Sequence, residues 1–112
     1  MSCIFCSIIE GTIPSDKVYE DELILAFRDI QPQAPAHILI IPKIHINSAN
    51  DINAENSRYI SRIFECAPQI ASKLGLSGGY RIATNIGSDG AQSVHHLHFH
   101  LLGGRKLSET IG

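Results

Sequence analysis

The stretch His96-Leu97-His98-Phe99-His100-Leu101-Leu102 alternates histidine with apolar side chains. Because successive side chains on a β-strand point to opposite faces, the strand that we predict over residues 94–102 carries three imidazoles on one face, about 6.5 to 7 Å apart. Its other face is apolar and is expected to pack against the core. The regular alternation favours a functional histidine site over a tract that binds metal by chance.

Upstream of this strand, the hydrophobic pattern predicts several short strands and one short helical turn. The turn covers residues 4–9, and the strands cover residues 18–20, 23–28, 36–41 and 80–86. The third strand is nearly all apolar, which indicates burial on both faces, and Pro42 is expected to end it. With one long helix between the third and fourth strands, this order predicts an α+β domain with a mostly antiparallel sheet.

The long helix is predicted from apolar residues that recur every three or four positions between Ala54 and Leu74. Asn53 is expected to cap its start, and Gly75 fits just beyond its end. Pro68 lies inside the pattern, where it removes a backbone donor and is expected to bend the helix.

Length and composition predict a single domain over residues 1–112, since 44% of the side chains are apolar and only 18% are charged. The net charge of −2 argues against a general nucleic-acid-binding protein. We find no apolar run long enough to span a membrane. The N-terminal sequence lacks a basic start and a small-residue cleavage site, so we expect no signal peptide and a cytoplasmic protein.

Cys3 and Cys6 form a C-x-x-C pair, a spacing found both in metal sites and in thioredoxin-type redox centres. A redox pair of that type follows a strand, and none is predicted before Cys3. A structural zinc needs four ligands, and His45 and His96 are the candidates to complete the set. The alternative is a pair of small buried thiols beside two hydrogen-bonded histidines.

The alternating stretch has the form His-φ-His-φ-His-φ-φ, where φ is apolar, and so resembles the signature of the histidine triad (HIT) superfamily. Residues 27–37, 40–45, 92–94 and 103–105 resemble its Hint branch, the histidine triad nucleotide-binding proteins. The resemblance extends from about Cys3 to Arg105. It implies a HIT-like fold, a homodimer, and a hydrolase or transferase that acts on the α-phosphate of purine nucleotides, typically nucleoside 5′-phosphoramidates. Some bacterial-type members hold structural zinc with residues that match Cys3, Cys6, His45 and His96.

The resemblance also assigns catalytic roles. His98 is expected to attack phosphorus through a neutral ring nitrogen and to form a covalent nucleotidyl-histidine that water then cleaves. A hydrogen bond from its other nitrogen, for instance to a backbone carbonyl, would fix this tautomer. His100 is expected to donate to a phosphate oxygen, and Ser93 or a protonated imidazole to protonate the leaving amine. His37 is expected near the triad, either in catalysis or as a satisfied core histidine, while His95 faces away.

The nucleotide is expected to bind beside these histidines. The resemblance assigns the ribose hydroxyls to Asp29, with Ile30 beside it, although a lone aspartate in a loop is also typical of a turn. The glycine-containing loop at residues 87–93 either approaches a phosphate through its backbone N–H groups or merely connects two strands. Ala91 departs from the glycine that the family often has there. Contacts with phosphate or the leaving group are assigned to Asn85, Gln92 and Ser93, and the base pocket to Ile4, Phe5 and Ile8.

The predicted function is therefore a purine nucleoside phosphoramidate hydrolase with structural zinc, no organic cofactor, AMP- or GMP-type ligands, and no nucleic-acid or membrane partner. One alternative is a dinucleoside polyphosphate hydrolase of the same superfamily, but Gly103-Gly104-Arg105 favours the Hint branch. The other alternative is a non-catalytic nucleotide- or zinc-binding regulatory module, which would not need the intact His98. In Hint proteins the C-terminal tail influences substrate choice. The tail after Arg105 has neither tryptophan nor proline, so the resemblance does not predict which leaving amine this chain prefers.

Overall fold

A computed structural model of the chain describes residues 3–111. Within this range the structure has two α-helices, α1 and α2, and five strands, β1 to β5, which form one antiparallel sheet in the order β1-β2-β3-β5-β4. The prediction of an α+β fold with an antiparallel sheet is confirmed. The elements in chain order are α1 (Ile4–Glu10), β1 (Lys17–Glu20), β2 (Ile24–Arg28), β3 (Ala36–Pro42), a 3₁₀ turn (Ala49–Asp51), α2 (Ser57–Lys73), β4 (Tyr80–Ala83) and β5 (Phe99–Gly103).

The central strand β3 is buried along its whole length. Ile38 and Ile40 pack on the side of the sheet that α2 covers, whereas Leu39 and Ile41 pack with residues of α1. Since both faces are covered, the strand needs apolar residues at every position and shows no polar alternation. Pro42 is its last residue, at the position where the sequence predicts that the strand ends.

The start of α2 differs from the prediction. The Asn53 side chain accepts hydrogen bonds from the backbone N–H groups of Glu55 and Asn56, at 2.9 and 3.0 Å, and so caps a separate turn. The helix begins at Ser57, with Asn56 as the residue before it. The prediction that Asn53 caps the helix is therefore wrong, because its side chain stabilises the turn instead.

The end of α2 follows the prediction. Gly75 has a φ of 76°, and the backbone N–H of Leu76 donates to the carbonyl oxygen of Ala71 at 2.9 Å. This arrangement closes the last turn of a helix through a residue in the left-handed region, where glycine is favoured. Pro68 lies within α2, which continues to Lys73. At 17 residues, α2 is the longest helix among residues 3–111, and no helix in that range qualifies as a membrane span.

The histidine stretch is less regular than the predicted strand over residues 94–102. Residues 94–96 form a bend, and β5 begins only at Phe99. The alternation survives nonetheless, because Leu97, Phe99 and Leu101 all join the core that packs against α2. His96 and His98 are buried on the opposite side, and His100 is half-buried there. The predicted strand over residues 80–86 is also shorter and ends at Ala83.

Candidate active site and candidate metal centre

A cavity of about 520 Å³ lies beside the histidine stretch, and its size is typical of a small-molecule site. Apolar side chains of α1, β2 and β3 form much of its lining. Polar side chains, among them Asp29 and Ser93, line the part near the histidines. The cavity brings together eight of the residues that the sequence predicts for catalysis or nucleotide binding: Ile4, Phe5, Ile8, Asp29, Ile30, Ser93, His98 and His100.

The orientation of the His98 ring is fixed at the edge of this cavity. Its Nδ1 lies 2.8 Å from the backbone carbonyl oxygen of His96. Because a carbonyl oxygen only accepts hydrogen bonds, Nδ1 carries the proton and Nε2 keeps its lone pair. Phe5 packs edge-on against the ring, with 5.2 Å between the ring centres, and the side chain is almost fully buried. His98 therefore has the tautomer that attack through Nε2 requires.

A separate chain of hydrogen bonds determines which ring nitrogen is protonated in His37 and His100. The backbone N–H of Gln33 donates to Nδ1 of His37 at 3.0 Å, so the His37 proton resides on Nε2. That Nε2–H donates to Nδ1 of His100 at 2.9 Å. The His100 proton is consequently on its own Nε2, which makes the ring a neutral hydrogen-bond donor at the cavity. This contact gives His37 the role of orienting His100, a role that the sequence leaves open.

Burial keeps both of these histidines neutral. It lowers the pKa of His37, although the nearby Asp29 carboxylate opposes the shift. Burial, reinforced by the neighbouring His98 and His37, lowers the pKa of His100 to about 4. At neutral pH both imidazoles are therefore uncharged. Each hydrogen bond between Gln33 and His100 is then donated towards His100, and neither ring carries a second proton.

We expect acid to destabilise the fold through His100. Its folded-state pKa lies below the ordinary value of 6.5, so the unfolded chain binds more protons between about pH 6.5 and pH 4. The free energy of unfolding should therefore fall as the pH drops through this window, by about 2 kcal/mol from this group. Urea titrations across the window should give a shallower pH slope for His100→Asn than for the wild type. His95→Asn, at an exposed position, should keep the wild-type slope, and equal slopes for all three proteins would contradict the assignment.

Asp29 combines the two interpretations that the sequence permits. One carboxylate oxygen accepts the backbone N–H of Gln31 at 2.8 Å, which is a turn contact. The other lies 3.5 Å from Nε2 of His37. The carboxylate also borders the cavity and retains 18% of its side-chain exposure. Asp29 is therefore held in place by the turn and still borders the cavity.

Asn85 and Gln92 make hydrogen bonds within and beside the loop at residues 87–93. The Gln92 amide nitrogen donates to the carbonyl oxygen of Asn47 at 2.6 Å, and its oxygen accepts the backbone N–H of Gly87 at 3.0 Å. The Asn85 amide donates to the carbonyl oxygen of Gly90 at 2.6 Å. Among residues 3–111, neither belongs to the cavity lining. Their side chains hold the loop that carries Ser93, so their contact with phosphate remains a prediction.

The backbone conformation at Ala91 is one that favours glycine. Its φ is 63°, and it is the non-glycine residue with positive φ among residues 3–111. This left-handed conformation costs an ordinary L-residue roughly 1 to 2 kcal/mol and costs glycine almost nothing. The loop conformation is thus kept despite the substitution.

A second cluster lies next to the histidine stretch. The ligand atoms of its four residues all lie within 4.8 Å of one another. The Sγ of Cys3 is 3.3 Å from Nδ1 of His96, and the Sγ of Cys6 is 3.3 Å from Nδ1 of His45. The structure thus brings together the complete ligand set that the sequence predicts: Cys3, Cys6, His45 and His96.

Hydrogen bonds around this cluster fit a metal. The Nε2–H of His96 donates to the carbonyl oxygen of Pro42 at 3.1 Å, and that of His45 donates to Oδ1 of Asn47 at 2.8 Å. Both Nδ1 lone pairs therefore face the sulfurs, as they do when histidine binds zinc. Burial and the neighbouring Cys3 raise the pKa of the Cys6 thiol to about 11, so a cation is needed to hold it as a thiolate. The donor set of two cysteines and two histidines suits tetrahedral zinc.

A third group, Asp29, His37 and His100, also places its ligand atoms within 4.8 Å of one another, but its hydrogen bonds do not fit a metal. The Gln33 N–H occupies Nδ1 of His37, so Nε2 must keep its proton. A metal on Nε2 would require the ring to lose both protons. This group is a hydrogen-bond chain.

Several cavity residues were not predicted because they resemble ordinary core. Phe27 pairs with Leu39 across β2 and β3, and Leu39 pairs with His100 across β3 and β5. The three side chains thus form one row across the sheet and border the same cavity. Pairing the predicted buried strand with the histidine strand in register would have identified them.

The combination of an antiparallel sheet, a buried histidine with a free Nε2 and an adjoining cavity defines the histidine triad class of proteins. The chain belongs to this family, since the pattern described as HIT domain matches residues 10–107. The resemblance that the sequence indicates is therefore confirmed.

Individual relatives are similar over nearly the whole chain. Purine nucleoside phosphoramidase of Escherichia coli (strain K12) is 51% identical over 109 residues, which cover 96% of this chain and 92% of the relative. The 14 kDa zinc-binding protein of Zea mays is 49% identical over 107 residues, or 94% and 84% of the two chains. A solved HIT family hydrolase from Clostridium thermocellum has 45% identity and a TM-score of 0.95, with coverage of 98% and 96%.

Proposed function

We propose that this protein hydrolyses purine nucleoside phosphoramidates at the α-phosphate through a nucleotidyl group carried on His98. The observation that carries the proposal is the hydrogen bond from His98 Nδ1–H to the His96 carbonyl, which leaves Nε2 free beside a cavity of suitable size. The similarity to a relative named purine nucleoside phosphoramidase supports this choice of substrate class.

In the first step, Nε2 of His98 attacks phosphorus and the bond from phosphorus to the leaving nitrogen breaks. The His98 ring then carries a positive charge, which the carbonyl oxygen of His96 stabilises through the Nδ1–H. The Nε2–H of His100 donates to a phosphate oxygen. The leaving nitrogen takes its proton from Ser93, which lines the cavity, while the neutral His100 ring keeps its Nε2–H on the phosphate oxygen.

In the second step, water attacks phosphorus and the bond to Nε2 breaks. The electron pair returns to His98, which regains its neutral tautomer, and the proton released from water restores the Ser93 hydroxyl. The products are an amine and a nucleoside monophosphate. Two displacements at phosphorus, with Nε2 of His98 first as the nucleophile and then as the leaving group, thus replace one direct attack by water.

The rest of the cavity accommodates the nucleoside. Phe5 and Phe27 meet edge-on with 5.6 Å between ring centres, and together with Ile8 they offer apolar contact to a purine ring. The Asp29 carboxylate can accept hydrogen bonds from both ribose hydroxyls. We therefore expect the base on the apolar wall and the phosphate beside the histidines.

A substrate panel tests the proposal. Purified protein is incubated with adenosine and guanosine 5′-phosphoramidates and with diadenosine polyphosphates, and mass spectrometry searches for a nucleotidylated peptide that contains His98. Turnover of the phosphoramidates with such an adduct is the expected result. Preferential cleavage of the dinucleotides would favour the other hydrolase branch. Tight nucleotide binding without turnover of either class would favour a regulatory module.

We also propose structural zinc at the cluster of Cys3, Cys6, His45 and His96. The four side chains fill a tetrahedral coordination sphere, so no position is left for a reacting water. When bound, zinc would hold the two sulfurs as thiolates and join α1 to the segments that carry His45 and His96. Similarity to the 14 kDa zinc-binding protein of maize supports this choice of metal. Elemental analysis of protein purified without chelators should find about one zinc per chain, and a content near zero would reject the proposal.

We further propose that two copies associate through the edge strand β4. Within residues 3–111, β4 pairs with β5 on one side only, and its residues are mostly exposed. Next to it, Phe64 of α2 is 49% exposed and contacts Phe99, while Tyr80 is 36% exposed. An open strand edge beside apolar side chains suits a second copy of the same chain. Cys3, Cys6 and Cys66 form no disulfide, which fits a reducing compartment, and we propose the cytoplasm.

Light scattering during size-exclusion chromatography should report a dimer for the wild type and a monomer for Phe64→Glu, since the introduced charge would be buried at the contact. Ile13→Glu, which also places a charge on an exposed apolar side chain, should remain dimeric. A monomeric wild type, or a dimeric Phe64→Glu, would contradict the proposed surface.

A further inference from the structure

His96 belongs to both parts of the site at once. Its imidazole lies in the cysteine cluster, 3.3 Å from Sγ of Cys3 and 3.5 Å from Sγ of Cys6. Its own carbonyl oxygen accepts the Nδ1–H of His98 at 2.8 Å. One residue therefore joins the candidate metal centre to the ring nitrogen that determines the tautomer of His98.

The backbone at His96 lies outside the sheet ladder. Residues 94–96 form a bend, and β5 starts at Phe99. Isolated contacts with residues 42–46 hold the segment instead: the Leu97 N–H donates to the carbonyl oxygen of Ile46 at 2.6 Å, and the His96 ring donates to that of Pro42 at 3.1 Å. The Leu97 N–H belongs to the same planar peptide group as the His96 carbonyl, so the position of that carbonyl is fixed by two anchors, the bond to Ile46 and the held His96 side chain.

The His96 side chain is completely buried between α1 and the segment that carries His45. Phe5 of α1 packs on it edge-on at 5.9 Å between ring centres, and His45 does so at 5.0 Å. Cys3 and Cys6 approach from the start of α1. Removing the sulfurs would leave the ring with apolar contact on that side and the single hydrogen bond to Pro42.

We propose that His96 is a positioning residue, through which the cluster of Cys3, Cys6 and His45 holds the carbonyl oxygen that keeps the His98 proton on Nδ1. This inference rests on the proposed function insofar as His98 is the nucleophile. When the cluster is disrupted, the His96 carbonyl moves, the His98 proton distributes over both ring nitrogens, and fewer molecules have a free Nε2. Catalysis slows for a reason that does not involve substrate contact.

The test reads the tautomer directly. Protein labelled with ¹⁵N-histidine is compared by NMR as wild type, as the double variant Cys3→Ser/Cys6→Ser, and as Cys66→Ser, with His98→Ala assigning the signals. In the wild type, the two His98 nitrogens should differ as a protonated and an unprotonated nitrogen do. In the double variant they should move towards each other, and kcat should fall about 10-fold, by more than any change in KM. Cys66→Ser removes a buried thiol elsewhere, on α2, and should change neither reading.

A second variant keeps the test decisive if the double variant does not fold. His96→Cys retains a soft ligand and the backbone carbonyl, whereas His96→Ala retains only the carbonyl. Both variants lose the ring, but only His96→Cys keeps a ligand for the cluster, so its His98 signals and kcat should lie closer to wild type than those of His96→Ala. Wild-type His98 signals in a folded variant that has lost the cluster would overturn the inference. If the His98 signals change when the cluster is lost, but the wild-type protein turns over no phosphoramidate, the proposed function is rejected. The link between the cluster and the His98 tautomer would then still hold.

Discussion

Replacing His98 with alanine is expected to reduce phosphoramidate hydrolysis by a factor on the order of 10⁴ to 10⁶. The variant lacks the Nε2 that forms the covalent intermediate, and His100 cannot substitute for it because its Nδ1 accepts a hydrogen bond from His37 and its Nε2 carries the proton. Single-turnover assays with adenosine 5′-phosphoramidate measure the loss. The nucleotidylated peptide should disappear at the same time.

The fold should survive this substitution, since Leu97 and Phe99 on the opposite side keep their places in the core. Circular dichroism should show a cooperative transition for the variant. The matched control is His95→Ala, which removes an exposed imidazole three positions away and should retain wild-type rates. Wild-type turnover by His98→Ala would eliminate the proposed nucleophile.

Removing the metal is expected to lower the melting temperature by on the order of 10 °C or more. The cluster joins residues 3 and 6 to residues 45 and 96, so its loss leaves α1 attached mainly by the apolar contacts of Phe5 and Ile8. Without a cation the cysteines revert to thiols, because burial and Cys3 raise the Cys6 pKa to about 11. Calorimetry with and without a chelator at neutral pH measures the change.

The double variant Cys3→Ser/Cys6→Ser provides the control for this experiment. Its melting temperature should already be low and should not respond to the chelator, which separates metal removal from other effects of the reagent. A wild-type protein that loses its zinc yet keeps its melting temperature would contradict a structural role for the metal.

The histidine face was predictable because it depends only on alternation. Leu97, Phe99 and Leu101 must enter the core, and the intervening histidines must then face the other way. This holds even where the backbone leaves the sheet at His96 and His98, so the prediction of the face is correct although the predicted strand is too long. The apolar run in β3 likewise predicts its burial on both faces.

The tautomers of His37 and His100 could not be predicted from the sequence, because each depends on a single contact with another part of the chain. The tautomer of His37 is determined by the backbone N–H of Gln33, and that of His100 by the neighbouring strand. Nothing in the residue types specifies which nitrogen is protonated. Gln92 shows the same limit, since an amide side chain binds a loop carbonyl as well as it binds a phosphate.

The burial of β3 along its whole length also predicts which parts of the molecule unfold locally and which exchange their amide hydrogens only on global unfolding. Its amides are paired on both sides, with β2 and with β5, and should exchange with solvent deuterium only when the whole domain unfolds. Ile4 of α1 is 49% exposed, and the helix has seven residues, so α1 should exchange through smaller, more frequent openings. The strands beneath should therefore keep the histidines in register while this helix opens.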